Sequence, residues 1–393
     1  MSKMPSKILI IDSDAGIAGP INEPLDKMGI EVFSASDLQT ALYRYNKQFF
    51  RVVFVQLNFD ELDGLSLIQK FRCHQIDEKR RAGFVIMNSS PISDEKMALC
   101  NELGRMQMVS KPLSIGPLIS QIQKAYQTHV KLELTYKIKK EIVDRMEADN
   151  DVREAIKSAH DFKKPLGDEY IPLVLDLYGQ CGDYEEGLNL LKQMPDNTME
   201  PLQKLNLMGQ FNLKMGNFAE ARKSFEEADA IAPKNIERIS SMIDLYLEMK
   251  APEMAVEKQK EVLDMNPDQP DMKFDMFQRL DEAGFSDEAV DFCQDTTGPR
   301  EVVKFYNNKG VVMAKTASLD DAVKEYERAL LYYPNNKNNY QIHYNIGLAY
   351  ARMKKSTKIQ LAIEHLELCL QQKDDFEKAK TLLDRIGHLK KTA

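Results

Sequence analysis

The 393-residue chain has no tryptophan and only five cysteines, at positions 73, 100, 181, 293 and 369. These lie far apart with no CxxC or CxxH spacing, which argues against a disulfide framework or a short-motif zinc site. Reduced, idle thiols are expected, and with them a cytoplasmic location. Long apolar runs are also missing: nothing approaches the roughly 18 residues of a membrane span, and the run Lys7–Ile11 (KILII) is too short for a secretory signal. Positive charge is in deficit, with 53 Lys and Arg against 61 Asp and Glu, a formal net charge of −8. That balance leaves no electrostatic footprint for nucleic acid or an anionic lipid surface. The motifs GxGxxG, GxxxxGK[ST], GxSxG and HExxH are absent. Six histidines, at 74, 129, 160, 343, 365 and 388, have no ligand-type partner at i+3 or i+4. The expectation is a protein without catalytic residues, cofactor or bound metal. Its 20 methionines fit adaptable core and groove filling better than metal binding.

What the chain does have is a period. Leu202–Asn235 reads as two amphipathic helices separated by Gly216 and Asn217, with Leu205, Met208, Gly209, Ala221, Phe225 and Ala228 on the apolar stripes and Pro233 near the end. Advancing by 34 residues finds Met242, Tyr246, Ala255, Val262 and Pro267; advancing again finds Gly284 and Ala289 on the Gly216 and Ala221 marks. A single helical hairpin cannot bury its own apolar face, so such units stack into a solenoid. The period and its small residues resemble the tetratricopeptide repeat family. Repeats are expected to start near Asp168, Leu202, Ile236, Pro270, Val303 and Tyr340. An insertion falls at Lys354–Gln360, and Phe376–Ile386 forms a closing helix. The family's tryptophan mark is absent throughout.

The first third alternates short apolar runs with amphipathic stretches. Strands are expected at Lys7–Ile11, Glu31–Ala35, Arg51–Leu57, Gly83–Asn88 and Met106–Val109. Helices are expected at Ile17–Met28, Asp37–Lys47, Leu65–Cys73 and Asp94–Leu103, with another from about Ile115. Strict alternation implies an α/β five-stranded parallel sheet with helices on both faces and ligand chemistry at the strands' carboxyl ends. Asp12 ends the first strand, Asp63-Gly64 follows the third and Lys111-Pro112 the fifth. In this order the segment, residues 5–127, resembles the receiver domain of response regulators, a flavodoxin-like fold.

The resemblance implies a phosphoacceptor pocket, and the pocket is degenerate. Asp12 matches the first acid of the family's magnesium-binding pair, but Ser13 occupies the second position, with Asp14 one step late. Ser89 matches the hydroxyl position and Lys111 the lysine. The acceptor aspartate is replaced by Gln56, whose carboxamide cannot attack phosphorus as a carboxylate does and offers magnesium a neutral oxygen. The aromatic expected three residues before the lysine is Met108. Two readings stay open. One is a structural remnant with Gln56 hydrogen-bonded to Lys111 or Ser89; the other is a locked receiver that binds a partner through its fourth-helix, fifth-strand, fifth-helix face. Asp60, Glu61 and Asp63 are alternative acceptor candidates that read as solvated loop acids.

Between the modules, residues 128–167 read as a helical connector. Ile122, Tyr126, Val130, Leu134, Ile138 and Ile142 form one stripe along a continuous helix to about Ala148. A further helix spans Val152–Phe162, and a break is expected at Lys163–Gly167. The second half of the stripe is expected to pack on the first repeat. A homodimer through the receiver or this helix stays open. Residues 168–393 form the all-α array of about six repeats plus a cap. The tetratricopeptide resemblance places Asp176, Asn206, Gln210, Leu213, Ser240, Asp244, Asn307, Val311, Tyr344 and Leu348 in a concave groove suited to an extended peptide or a helix. The lysine set with which some members clamp a terminal carboxylate is absent. The chain as a whole reads as a non-catalytic signalling adaptor with protein partners. The rival reading is a phosphorelay response regulator whose phosphorylation controls the repeats.

Overall fold

In the computed structural model the described residues are 4–59, 62–104, 106–149, 152–195, 198–265, 270–296, 299–316, 318–353 and 355–392. The chain divides into two compact units, Met1–Pro267 and Asp268–Ala393. The division falls inside the repeat array, between the third and fourth hairpins.

Unit one begins with strands β1 (Lys7–Ile11), β2 (Glu31–Ala35), β3 (Val52–Gln56), β4 (Gly83–Asn88) and β5 (Gln107–Ser110), interleaved with helices α1 (Gly19–Asp26), α2 (Leu38–Lys47), α3 (Gly64–Arg72) and α4 (Asp94–Glu102). The strands form one parallel sheet in the order β2-β1-β3-β4-β5. Side chains alternate across a strand, so a strand covered on both sides must be apolar at every position. Ile8, Ile10, Val52, Phe54, Val85 and Met87 pack with Ile21 and Leu25 on one face. Leu9, Ile11, Val53, Val55, Phe84 and Ile86 pack with Tyr45, Phe71 and Leu99 on the other. Each expected strand and helix is present. A two-residue hairpin, Asn58–Phe59 with Leu62–Asp63, and a helical turn at Asp77–Arg80 are additional. Helix α1 is shorter than expected and carries Pro24 inside it.

Helix α5 runs without interruption over Ile115–Asp149. Its Leu118, Ile122 and Ala125 belong to the sheet core, whereas Ile138 and Ile142 join Ile156 of the following helix and Leu173, Val174 and Leu177 of the first repeat. Between these two buried stretches Val130 and Leu134 are exposed. The middle of α5 is held by Arg81, which pairs with Glu133 at 2.6 Å and lies 3.8 Å over the Tyr136 ring; His129 Nδ1 sits 2.8 Å from the Arg81 carbonyl oxygen. Helix α6 (Val152–Ala159) follows. The expected break at Lys163–Gly167 is itself a helical turn, Lys163–Leu166, ended by Gly167 at a φ of +56°.

Three hairpins complete the unit: α7 (Tyr170–Cys181) with α8 (Tyr184–Gln193), α9 (Pro201–Lys214) with α10 (Phe218–Ile231), and α11 (Ile236–Glu248) with α12 (Pro252–Met265). At the end of each first helix one residue takes a left-handed conformation: Gly182 (φ +77°), Gly216 (φ +77°) and Lys250 (φ +57°). The next amide then closes on the helix, as Asn217 N does on the Asn212 carbonyl (2.8 Å) and Ala251 N on that of Tyr246 (2.8 Å). These left-handed turns recur at the 34-residue period.

Unit two contains α13 (Pro270–Glu282) with α14 (Ser286–Thr296), α15 (Pro299–Thr316) with α16 (Leu319–Tyr332), α17 (Asn339–Arg352) with α18 (Ser356–Gln372), and a single closing helix α19 (Glu377–Thr392). Helix α15 starts four residues ahead of the expected Val303. The Asp281 carboxylate is fully buried and accepts hydrogen bonds from Ser286 Oγ (2.9 Å), Tyr306 OH (2.9 Å) and Lys309 Nζ (3.0 Å). Burial alone would raise its pKa, but those donors hold the carboxyl below the ordinary aspartate value. Cys100 and Cys369 are buried thiols pushed up to about 12 and about 11 by burial.

Candidate functional site

Asp12 follows β1, Gln56 ends β3, Ser89 follows β4 and Lys111 follows β5, so the carboxyl edge of the sheet gathers all four. The Asp12 carboxylate is fully buried, with Lys111 Nζ 2.7 Å from its Oδ2 and 2.9 Å from its Oδ1. Its Oδ1 also accepts from Asp14 N at 3.0 Å. Gln56 does not bond to Lys111 or Ser89 as the remnant reading expected. Its Oε1 accepts from Ser13 N and from Ser13 Oγ, both at 2.9 Å. The physical reason is charge: a lysine ammonium favours a buried carboxylate over a neutral amide oxygen, which leaves the amide to the neutral donors of Ser13. Ser89 is exposed. Met108 packs against the sheet core.

The donor chemistry does not fit magnesium, which favours octahedral, largely anionic oxygen ligands. The set here is a carboxylate already paired with a lysine, an amide oxygen already holding two donors, and the exposed Asp14, whose Oδ1 accepts from Gly16 N at 2.8 Å. Among the described residues no group of three or more His, Cys, Asp or Glu side chains is arranged to hold a metal ion. Of the alternative acceptors, Asp63 pairs with Lys96 at 2.9 Å, and Lys96 also donates to Asn58 Oδ1 at 2.9 Å. Asp60 and Glu61 lie outside the described residues.

The groove candidates fall on the first helices of the hairpins, and several already have partners within the chain. Asp176 pairs with Lys139 of α5. Asn206 of α9 donates to the Glu102 carboxylate at the end of α4. Gln210 lines a cavity of about 360 Å³ with Gln69, Gln203 and Glu237. Leu213 is half-buried, whereas Ser240 and Asp244 are exposed on α11. In unit two, Asn307 accepts a hydrogen bond from Asn345 Nδ2 at 2.6 Å. Val311 and Leu348 are half-buried, and Tyr344 meets the Phe376 ring edge-on with centroids 5.2 Å apart.

Sequence reasoning missed a contact inside unit one. Arg238 of α11, 1% exposed, pairs through its guanidinium with Glu102 and donates to the Ala232 carbonyl. Gln203 Nε2 donates to the Glu102 main-chain oxygen at 2.8 Å. On α3, Gln69 Nε2 donates to the Lys234 carbonyl (3.0 Å) and its Oε1 accepts from Ile236 N (2.7 Å). Leu202, Ala228 and Ala232 enter the same apolar cluster as Phe71, Leu99 and Cys100. Burial pushes the Glu102 carboxyl up, against the pull of Arg238 and Asn206. No local pattern signals this contact, because its partners are separated by 101 to 167 residues.

Residues 8–123 match the response regulator receiver domain family, and residues 205–235 match the tetratricopeptide repeat. The sporulation initiation phosphotransferase F of Bacillus subtilis is 27% identical over 121 residues, which cover 31% of this chain and 94% of that protein. Among solved structures, the receiver domain of Francisella response regulator 1452 is 25% identical, covering 31% of this chain and 96% of its own (TM-score 0.27). A MamA protein is 18% identical, covering 46% of this chain and 95% of its own (TM-score 0.26). The chain therefore joins a response regulator receiver domain to a tetratricopeptide region, a signalling architecture with a protein-interaction role.

Proposed function

We propose that this chain is a non-catalytic cytoplasmic adaptor whose receiver does not accept phosphoryl groups and whose repeats bind a protein partner. In this reading residues 5–127 are the receiver, 128–167 the connector and 168–393 the partner-binding array. The observation that carries it is the arrangement of the pocket. Gln56 stands where phosphoryl transfer needs a carboxylate nucleophile, and Lys111 is already engaged with Asp12 at 2.7 Å. The amide and apolar side chains of unit two, among them Asn307, Tyr344 and Leu348, suit the main chain and side chains of a peptide or helix.

Intact mass after incubation with magnesium and acetyl phosphate tests the receiver half of this reading. No change is expected. A stoichiometric gain of about 80 Da, the mass of one phosphoryl group, would favour the phosphorelay reading. The partner half is tested on the full chain with Asn307→Ala and Tyr344→Ala together: captured partner should fall by about tenfold or more if two contacts of about 0.7 kcal/mol each are lost.

A further inference from the structure

We propose that the α3–α4 face of the receiver is the built-in occupant of the groove formed by the second and third hairpins. It is latched by Glu102 and Arg238, and the groove around Asn206 and Gln210 opens to a partner only when that latch is released. The inference rests on the partner-binding reading of the repeats.

Three features of the contact support a latch over a permanent core. Beside the apolar contact of Leu202, Ala228 and Ala232 with the receiver core, its ties are polar: the Glu102–Arg238 pair, Asn206 and Gln203 on Glu102, and Gln69 on the Lys234–Ile236 backbone. A buried ion pair gains little over an apolar contact of the same shape, because both charges lose their hydration, but it demands one register and loses its advantage when either charge is displaced. The seam is also accessible: a solvent-open cleft of about 360 Å³, lined by Gln69, Gln203, Asn206 and Gln210, runs between the two surfaces. Finally, Asn206, a groove position by its place in the repeat, is spent on the receiver.

Separation would not disconnect the modules. Helix α5 joins the sheet core to the first hairpin through Leu118 and Ile122 at one end and Ile138 and Ile142 at the other. The second hairpin packs on the first through Phe211, Leu188 and Leu191, so the hairpins would swing away from the receiver together, about the middle of α5. The occupant also shows what a competing partner must supply: an acceptor for the Arg238 guanidinium and a carbonyl for Gln203.

The test uses the full chain with bioorthogonal dyes at the exposed positions Tyr43 and Ile231, read by energy transfer. Glu102→Arg sets two cations against each other. The dye separation should lengthen by about 8–10 Å, one layer of packed helices, and adding Arg238→Glu should restore it. A folded Glu102→Arg protein with unchanged separation overturns the proposal. If that variant fails to fold by circular dichroism, Glu102→Gln, which keeps the shape and removes the charge, is measured instead. It should populate the longer separation, and an unchanged distance again overturns the latch. The readout needs no partner, so its failure is distinct from failure of the adaptor reading. A latch that opens as expected in a protein that still captures no partner would sink only the latter.

Discussion

Lys111 Nζ lies 2.7 Å from Oδ2 and 2.9 Å from Oδ1 of Asp12, and the carboxylate it meets has no exposed side-chain surface. Removing one member of a buried pair strands the other, at a cost of about 3–5 kcal/mol. Lys111→Met should therefore destabilise the receiver by about 3 kcal/mol or more in urea unfolding, and Asp12→Asn in the same background should recover part of that loss. A Lys111→Met protein as stable as the parent would show that the pair is solvated.

Glu102 and Arg238 allow a second cycle. Glu102→Ala should cost about 1–3 kcal/mol, because the buried Arg238 guanidinium keeps only Asp229, 3.4 Å from its Nε, as a carboxylate partner. The double variant Glu102→Met with Arg238→Leu should cost far less, since neither charge is then desolvated. Equal and additive losses from the two sites would argue against direct coupling.

Lys250 occupies the left-handed position that glycine holds 34 residues earlier, at Gly216, and 34 later, at Gly284. A side chain with a Cβ is strained there and glycine is not. Lys250→Gly should stabilise the third hairpin by about 0.5–1 kcal/mol, seen as slower hydrogen exchange over α11 and α12. Destabilisation would mean that the lysine makes a compensating contact.

Gly310 faces the ring of Tyr326: a Cβ added at 310 would stand 2.4 Å from it. Gly310→Ala should destabilise unit two by about 1–3 kcal/mol through overpacking. The fully buried Ala322 on α16 should be equally intolerant of Ala322→Leu. A thermal transition unchanged by Gly310→Ala would mean that the ring can move aside.

His343 and His365 face each other with their Nδ1 atoms 3.1 Å apart, so one must donate while the other accepts. Burial first, then the neighbouring His365, lowers the His343 pKa from its ordinary 6.5 to about 4; burial also lowers that of His365. A depressed histidine pKa means that the unfolded chain takes the proton first. Stability is therefore complete above pH 6.5 and is lost as pH falls from 6.5 toward 4. Unfolding of unit two followed by hydrogen exchange should show this slope, and His343→Gln should flatten it over the same range.

The periodic features were legible in the sequence because they are local. Apolar runs bounded by turns place β1, β3 and β4, since a two-faced buried strand has no other pattern, and the edge strands β2 and β5 follow from the alternation with helices. The recurrence of Gly216, Ala221 and Phe225 marks places the hairpins, since each repeats one packing problem. Gln56 in place of a carboxylate was equally visible, being a matter of residue type at a strand end.

What the sequence could not supply was which polar group meets which. Gln56 could have turned to Lys111, Ser89 or Ser13. Electrostatics across three strand ends decided it, because Lys111 went to the charged Asp12. Asn206 read as an open groove amide from its place in the repeat, yet Glu102, 104 residues away, supplies its acceptor. Glu102 and Arg238 carry no pattern that joins them. Burying a charge is tolerable only beside its partner, and only the tertiary fold brings the end of α4 against the start of α11.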